Sequence, residues 1–268
     1  MAKERLDVLV FDRGFAKSRE AARAEIMAGG VFVGGQPALK PGTMVDINTD
    51  IEMRGAKPRY VSRGGYKLEK ALEYFGVDPE GKTCIDCGAS TGGFTDCLLQ
   101  NGASAVVAVD VGYGQLAWSV RSDPRVTALE RTNIRYLTRE KLGVKPSLAV
   151  VDVSFISLAL VLPVLKELLE DGAQVICLIK PQFEAGREKV GKKGVVRDAA
   201  VHKEVLDNFM STAQKAGFAV SGITFSPIKG PEGNIEFLAF LSSSRGVSEN
   251  ADIDTESAVK TAHLELGE

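Results

Sequence analysis

No stretch of this 268-residue chain approaches the roughly 18 consecutive apolar residues that a membrane-spanning helix needs, and residues 1–7 carry charge. Neither a secretory leader nor a bilayer span is expected, and the reading places the protein in the cytoplasm. Cysteine is scarce. Four residues, Cys84, Cys87, Cys97 and Cys177, are too few for a disulfide framework at this length. Cys84 and Cys87 form a C-x-x-C, yet the two histidines, His202 and His263, lie far away in sequence. Buried reduced thiols explain the pair better than a metal or redox centre, so no metal is expected. A strong net charge is lacking too, at −2 from 33 basic and 35 acidic residues. Its distribution is uneven, however. Residues 1–70 carry 13 Lys and Arg against 9 Asp and Glu, while the tail from Ser242 carries 2 against 6. A basic front and an acidic tail point to a polyanionic partner for the front.

The remaining composition is that of a globular chain with room for one large and one small domain. Residues 1–54 read as a compact α+β module. A helix is expected over 4–10, a turn at Asp12-Arg13-Gly14, and a second helix capped by Ser18 and stopped by Gly29-Gly30. Short strands follow over 31–33 and 44–47. A basic linker spans 55–65, and the stretch 54–70 holds six basic residues and one acidic. Across 66–242, strands over 83–87, 105–110, 126–130, 147–152, 173–180, 218–225 and 235–241 alternate with helices near 92–101, 115–121, 137–142, 156–170 and 199–216. That alternation argues for a mostly parallel sheet. The last two strands are joined by a short connection, so they pair antiparallel. The expected fold is α/β, a Rossmann-like sheet of seven strands with one reversed, behind a small α+β domain. Residues 243–268 read as an acidic, mobile tail with at most a weak terminal helix.

The strongest local motif is T-C-I-D-C-G-A-S-T-G-G-F-T, residues 83–95. A strand ends at Asp86, a glycine-rich turn runs through Gly88, Ser90, Thr91, Gly92 and Gly93, and a helix opens at Phe94. Such a turn lets backbone amides approach a ligand. The next strand ends at Asp110, placed to take ribose hydroxyls. A dinucleotide site would want G-x-G-x-x-G and a phosphate loop Gly-Lys-Ser/Thr, and neither is here. The carboxylate of Asp86, two places before the first glycine, would repel a pyrophosphate. It suits a ligand with an ammonium and a sulfonium, which favours S-adenosylmethionine.

Ligands of an open α/β sheet bind beyond the carboxyl ends of its strands. Asp152 and Lys180 close two apolar strands there. Glu236 opens the reversed strand, which begins at the same edge, and Lys67 lies on the helix before the sheet. Lys180 could form no more than a structural ion pair with Asp152. The alternative is a desolvated amine, positioned by carboxylates, that takes a proton from a hydroxyl. Asp152 and Glu236 would orient it, and Lys67 would face the developing alkoxide.

The order Lys67, Asp152, Lys180, Glu236 resembles the FtsJ-type ribose 2′-O-methyltransferases. The stretches S-R-G-G-Y-K-L, D-C-G-A-S-T-G-G-F-T-D, V-D-V-S-F-I-S and L-I-K-P-Q-F-E-A-G closely resemble the TlyA (hemolysin A) family, over nearly the whole chain to about Leu241. That resemblance implies methylation of ribosomal RNA with S-adenosylmethionine, with Asp86, Gly88, Asp110 and Asp152 around the cofactor and the four-residue set in catalysis. The front module, R-L-D-V-L-V-F-D-R-G-F-A-K-S-R-E-A-A-R, resembles the S4-type RNA-binding domain. Arg5, Lys17, Ser18, Arg19 and Arg23 make its basic stripe. Arg59 and Arg63 in the linker, and Arg187, Lys192 and Lys193 in the long loop after Lys180, are further RNA candidates. Ribosomal RNA or a ribosomal subunit is the expected partner. Two other readings stand beside this one. The family's hemolysin name raises a membrane-acting cytolysin, although no basic amphipathic helix supports it. A non-catalytic ribosome-assembly factor would not need the four charged residues.

Overall fold

The computed structural model describes residues 3–38, 40–53, 58–191, 193–243 and 252–267. The chain divides into two compact units, Met1–Arg59 and Tyr60–Glu268. The first contains β1 (Lys3–Arg5), α1 (Leu6–Asp12), α2 (Arg19–Met27), β2 (Val31–Val33), β3 (Gln36–Pro37), β4 (Met44–Asp46) and β5 (Ile51–Met53). Leu6, Leu9 and Val10 fall on one face of α1 and meet Ala22 and Ile26 of α2, with Val31 and Ile51 closing the small core. Ser18 caps α2, its hydroxyl accepting the Ala21 amide at 3.1 Å. The helix expected from residue 4 starts at Leu6. Lys3–Arg5 instead pair antiparallel with β4, a case of tertiary pairing overriding local propensity.

The second unit runs α3 (Gly64–Phe75), β6 (Thr83–Cys87), α4 (Gly93–Gln100), β7 (Ala105–Val109), α5 (Trp118–Arg121), β8 (Val126–Leu129), α6 (Arg139–Leu142), β9 (Leu148–Val151), α7 (Leu162–Leu168), β10 (Gln174–Ile179), α8 (Pro181–Glu184), α9 (Ala199–Lys215), β11 (Ala219–Phe225), β12 (Phe237–Ser242) and α10 (Thr255–Leu266). Its seven strands are ordered β11-β12-β10-β9-β6-β7-β8. β12 is antiparallel to both neighbours, and the pairs from β10 to β8 are parallel. The Rossmann-like α/β sheet with one reversed strand is therefore present. Its central strands are apolar on both faces, as a doubly covered parallel sheet requires. Leu68, Ala71, Phe94 and Leu98 cover one face from α3 and α4. Leu162, Leu165, Val205, Phe209 and Val259 cover the other from α7, α9 and α10.

Three expectations change. The linker expected over 55–65 does not reach residue 65: Tyr60 is buried in the second unit, so close to Gly65 that a Cβ there would lie 2.2 Å from its ring. The acidic tail ends in an ordered helix. Asp254 caps α10 by accepting the Ser257 amide at 2.9 Å, and Val259 and Ala262 are buried beside α9. Two apolar residues three apart seat the helix, while its acidic face stays wet. The segment after Lys180 is also structured, with α8 followed by a 3-10 turn over Arg187–Lys189. No helix among the described residues is long and apolar enough to cross a membrane.

Candidate active site

The carboxyl ends of β6, β7, β9 and β10 meet around the turn after β6. Gly88 has φ +88°, and a Cβ there would stand 2.5 Å from the Asp152 carbonyl oxygen. Only glycine lets these two backbones pass so closely. Ser90 takes the same left-handed region at φ +49°, its amide donating to Asp110 Oδ2 at 2.8 Å. Asp110 Oδ1 accepts the Gly112 amide at 2.7 Å. Asp110 thus fixes the turn, besides whatever hydroxyl its remaining lone pairs receive. Thr91 accepts the Ala117 amide through its carbonyl at 3.1 Å. Gly92 caps α4 with φ +93°. A Cβ on Gly93 would lie 2.2 Å from Ser62 Oγ, and Phe94 is buried against α3, so both serve the α3–α4 contact.

Asp86 lies beneath this turn and is fully buried. The Thr95 hydroxyl donates to its Oδ2 at 2.6 Å, while Oδ1 has no partner among the described residues. Burial pushes its carboxyl up to about 7, and the charges of Asp152 and Asp110 add to the rise. Three carboxylates around one glycine turn suit a cationic ligand and oppose a pyrophosphate. The orphaned Oδ1 and this charge set fit the amino-acid end of S-adenosylmethionine. A cavity of about 660 Å³ opens beside the turn, lined by Ser90, Asp110, Asn133, Asp152 and residues 153–157. That size suits a nucleoside-bearing ligand. A smaller one, about 220 Å³, shares Gly88, Ser90 and Asp152 with it and reaches Lys67, Arg63 and Lys229.

Four charged side chains gather at this edge as two ion pairs. Lys180, 8% exposed, meets Asp152 Oδ1 at 2.6 Å and donates to Ser154 Oγ at 2.8 Å. Lys67, 7% exposed, meets Glu236 Oε2 at 2.5 Å. Burial raises the Glu236 carboxyl, and the charges of Lys67 and Lys180 pull it back while Asp152 adds to the rise. The pairs therefore feel one another. An unpartnered charge at this depth would cost several kcal/mol, so each lysine keeps a carboxylate.

The candidate RNA residues are scattered differently. In the first unit Lys17, Arg19 and Arg23 are exposed on or beside α2, and Ser18 is its cap. Arg5 and Arg19 converge on buried Asp7, at 2.9 and 3.2 Å, and hold its carboxyl below the usual range. Arg59 and Arg63 are exposed, as are Arg187 and Lys193, whereas Lys192 lies outside the described residues. Sequence reasoning missed Ser154, Lys229 and Asn234. Asn234 is buried and clamps the loop after Lys180, donating to the Gly194 carbonyl and accepting the Val196 amide, each at 2.9 Å. Ser154 carried a signal, since it stands one strand repeat beyond Asp152. The other two lie in a connection without periodicity. All four cysteines are buried, and burial pushes the Cys84 thiol up to about 12. Among the described residues no group of three or more potential ligands could hold a metal.

A profile of FtsJ-like methyltransferases matches residues 60–243, and one of the S4 domain matches residues 4–51. The 16S/23S rRNA (cytidine-2′-O)-methyltransferase TlyA of Mycobacterium tuberculosis is 47% identical over 89% of this chain and 90% of its own. The chain belongs to the TlyA (hemolysin A) family of FtsJ-like methyltransferases. YqxC of Bacillus subtilis is 54% identical over 89% of this chain and 85% of that one. A solved family structure from Streptococcus thermophilus is 48% identical and covers 99% of this chain and 97% of its own, with a TM-score of 0.79.

Proposed function

We propose that this family member transfers a methyl group from S-adenosylmethionine to a ribose 2′-hydroxyl of ribosomal RNA in the cytoplasm. The observation that carries the reading is Lys180, buried at a strand end between Asp152 and Ser154 and facing a second lysine–carboxylate pair. S-adenosylmethionine supplies a methyl group made electrophilic by its sulfonium. Asp86, beneath the turn, would hold the ammonium, and Gly88, Ser90, Asp110 and Asp152 would line the space that receives the rest of the cofactor. Once its ammonium has released a proton to solvent, Lys180 Nζ takes the hydroxyl proton as the oxygen attacks, a role worth about 10²–10⁴ in rate. Asp152 and Ser154 aim the amine. Lys67, held by Glu236, faces the alkoxide as its charge develops.

The S4 unit supplies the RNA. Arg5, Lys17, Arg19 and Arg23 would contact its phosphates, with Arg59, Arg63, Arg187 and Lys193 as further contacts. The name of the mycobacterial relative points to a cytidine ribose. The test is incubation with ribosomal subunits and labelled S-adenosylmethionine, followed by mapping of the modified nucleotide. Lys180→Ala should lower methyl transfer by at least ~10² while rRNA affinity survives. A methylated base, or full activity in Lys180→Ala, overturns the mechanism.

A further inference from the structure

The segment after β9, residues 152–157, does two things at once. It supplies both partners of Lys180, Asp152 and Ser154, and it forms one wall of the larger cavity. Its backbone is not at ease. Phe155, a residue 89% exposed, sits at φ +64°, a conformation that a bulky residue keeps only where its surroundings impose it.

The surroundings are the continuation of β10 into α8, and the two segments are bridged in sequence order. Lys180 binds Asp152 and Ser154, the Phe155 ring packs on Phe183 with centroids 5.0 Å apart, and Glu184 closes the series. Glu184 Oε2 accepts the Ser157 hydroxyl at 2.7 Å, and Oε1 accepts the Leu158 amide at 2.8 Å. A local cap does not explain this contact. Ser157 already caps the 3-10 turn Leu158–Leu160 by accepting the Ala159 amide at 3.1 Å, and Glu184 comes from 26 residues away. Burial raises the Glu184 carboxyl despite its two donors, so the fold keeps an acid at a place that disfavours its charge. A buried carboxyl held by specific partners beside a cavity wall, its acidity displaced, is a candidate for a functional role.

We propose that Glu184 is a positioning residue for the methyl transfer. Its two-oxygen grip on Ser157 and Leu158 fixes residues 152–157, so that Asp152 and Ser154 meet Lys180 and the cavity wall stands ready for the adenosine. The inference rests on the proposed function for the reaction it serves. Its effect on the cavity can be read without turnover.

The experiment compares wild-type protein with Glu184→Ala, Glu184→Gln and Ser157→Ala. It measures melting temperature, the Kd for S-adenosylmethionine by calorimetry, and kcat with KM on ribosomal subunits. Glutamine can still accept the Leu158 amide and donate to Ser157 Oγ. Glu184→Ala should melt cooperatively yet bind S-adenosylmethionine about tenfold more weakly and turn over about tenfold more slowly, as expected of a site loosened by a fraction of an ångström. Glu184→Gln should restore Kd to within about threefold of wild type. Ser157→Ala should move Kd in the same direction as Glu184→Ala, and the double variant should be no worse than the latter. A lower melting temperature with Kd, KM and kcat unchanged would make the contact merely structural and overturn the proposal. A Glu184→Gln variant as impaired as the alanine would overturn the grip. If Glu184→Ala does not fold, wild-type affinity in Ser157→Ala overturns the proposal. Failure of the proposed function is distinguishable, because wild type would then leave riboses unmethylated while these variants still shifted Kd.

Discussion

Asp86 gathers most of the electrostatic tension in the site into one carboxyl group. With an acidity near 7, it is protonated in mildly acid solution and ionised above neutrality. If the ionised form receives the ammonium of S-adenosylmethionine, affinity should rise between pH 6 and 7.5, by at most about tenfold per unit. Binding near pH 6.5 should also release a proton, visible as a buffer-dependent heat in calorimetry. Asp86→Asn should bind weakly with a flat profile. A flat profile in wild type would remove Asp86 from cofactor recognition. The stability of the unliganded protein should move the opposite way. The folded acidity lies above the ordinary 3.8, so what this group contributes is complete at low pH and is lost as pH rises through 7.

At the scale of an element, α10 shows what a terminal helix can add. His263 on α10 meets His202 on α9, Nε2 to Nδ1 at 2.9 Å, and His202 Nε2 contacts the Val196 carbonyl at 3.2 Å. A carbonyl can only accept, so His202 carries its proton on Nε2 and takes a hydrogen bond from His263 through Nδ1. Burial first, and His263 second, push His202 down to about 4, with Asp198 opposing. Its folded acidity lies below the ordinary 6.5, so stability should fall as pH drops from 6.5 toward 4, by on the order of 3 kcal/mol. Thermal melts across that range would show it, and His202→Gln should flatten the slope. An equally steep slope in the variant would assign the loss elsewhere.

This helix also marks where sequence reading reached its limit. The sheet was legible because its strands are continuous apolar runs bounded by glycine turns. Asp152, Lys180 and Glu236 were legible because they close or open those runs, and Lys67 because it lies on the helix that leads into the sheet. In α10, Val259 and Ala262 had to be weighed against an acidic composition, and only packing decides that contest. Glu184 and Asn234 owe their roles to contacts across 26 to 40 residues, which no local pattern encodes.

For the whole molecule, the division at residues 59 and 60 would, under the proposed function, separate two tasks with different physical signatures. RNA affinity carried by phosphate contacts depends on salt, whereas cofactor affinity in a cavity depends on it little. Lys17→Ala with Arg23→Ala leaves the Arg5–Asp7–Arg19 cluster intact. That variant should bind rRNA more weakly, with a slope of log K against log salt shallower by about 1.5, and an unchanged Kd for S-adenosylmethionine. An unchanged slope would move the RNA footprint off the S4 unit.

The reversed strand has a consequence for how the protein is made. β12 follows β11 in the chain, yet it lies between β11 and β10 and, among the described residues, supplies every strand partner that β11 has. As the polypeptide leaves the ribosome, β11 therefore emerges with no neighbour to join, and the sheet stops at β10 until residues 237–242 arrive and close the gap. Glu236 comes out with them. The nascent chain thus holds Lys67, Asp152 and Lys180 long before Lys67 meets its carboxylate. The site is completed by the same late insertion that completes the sheet.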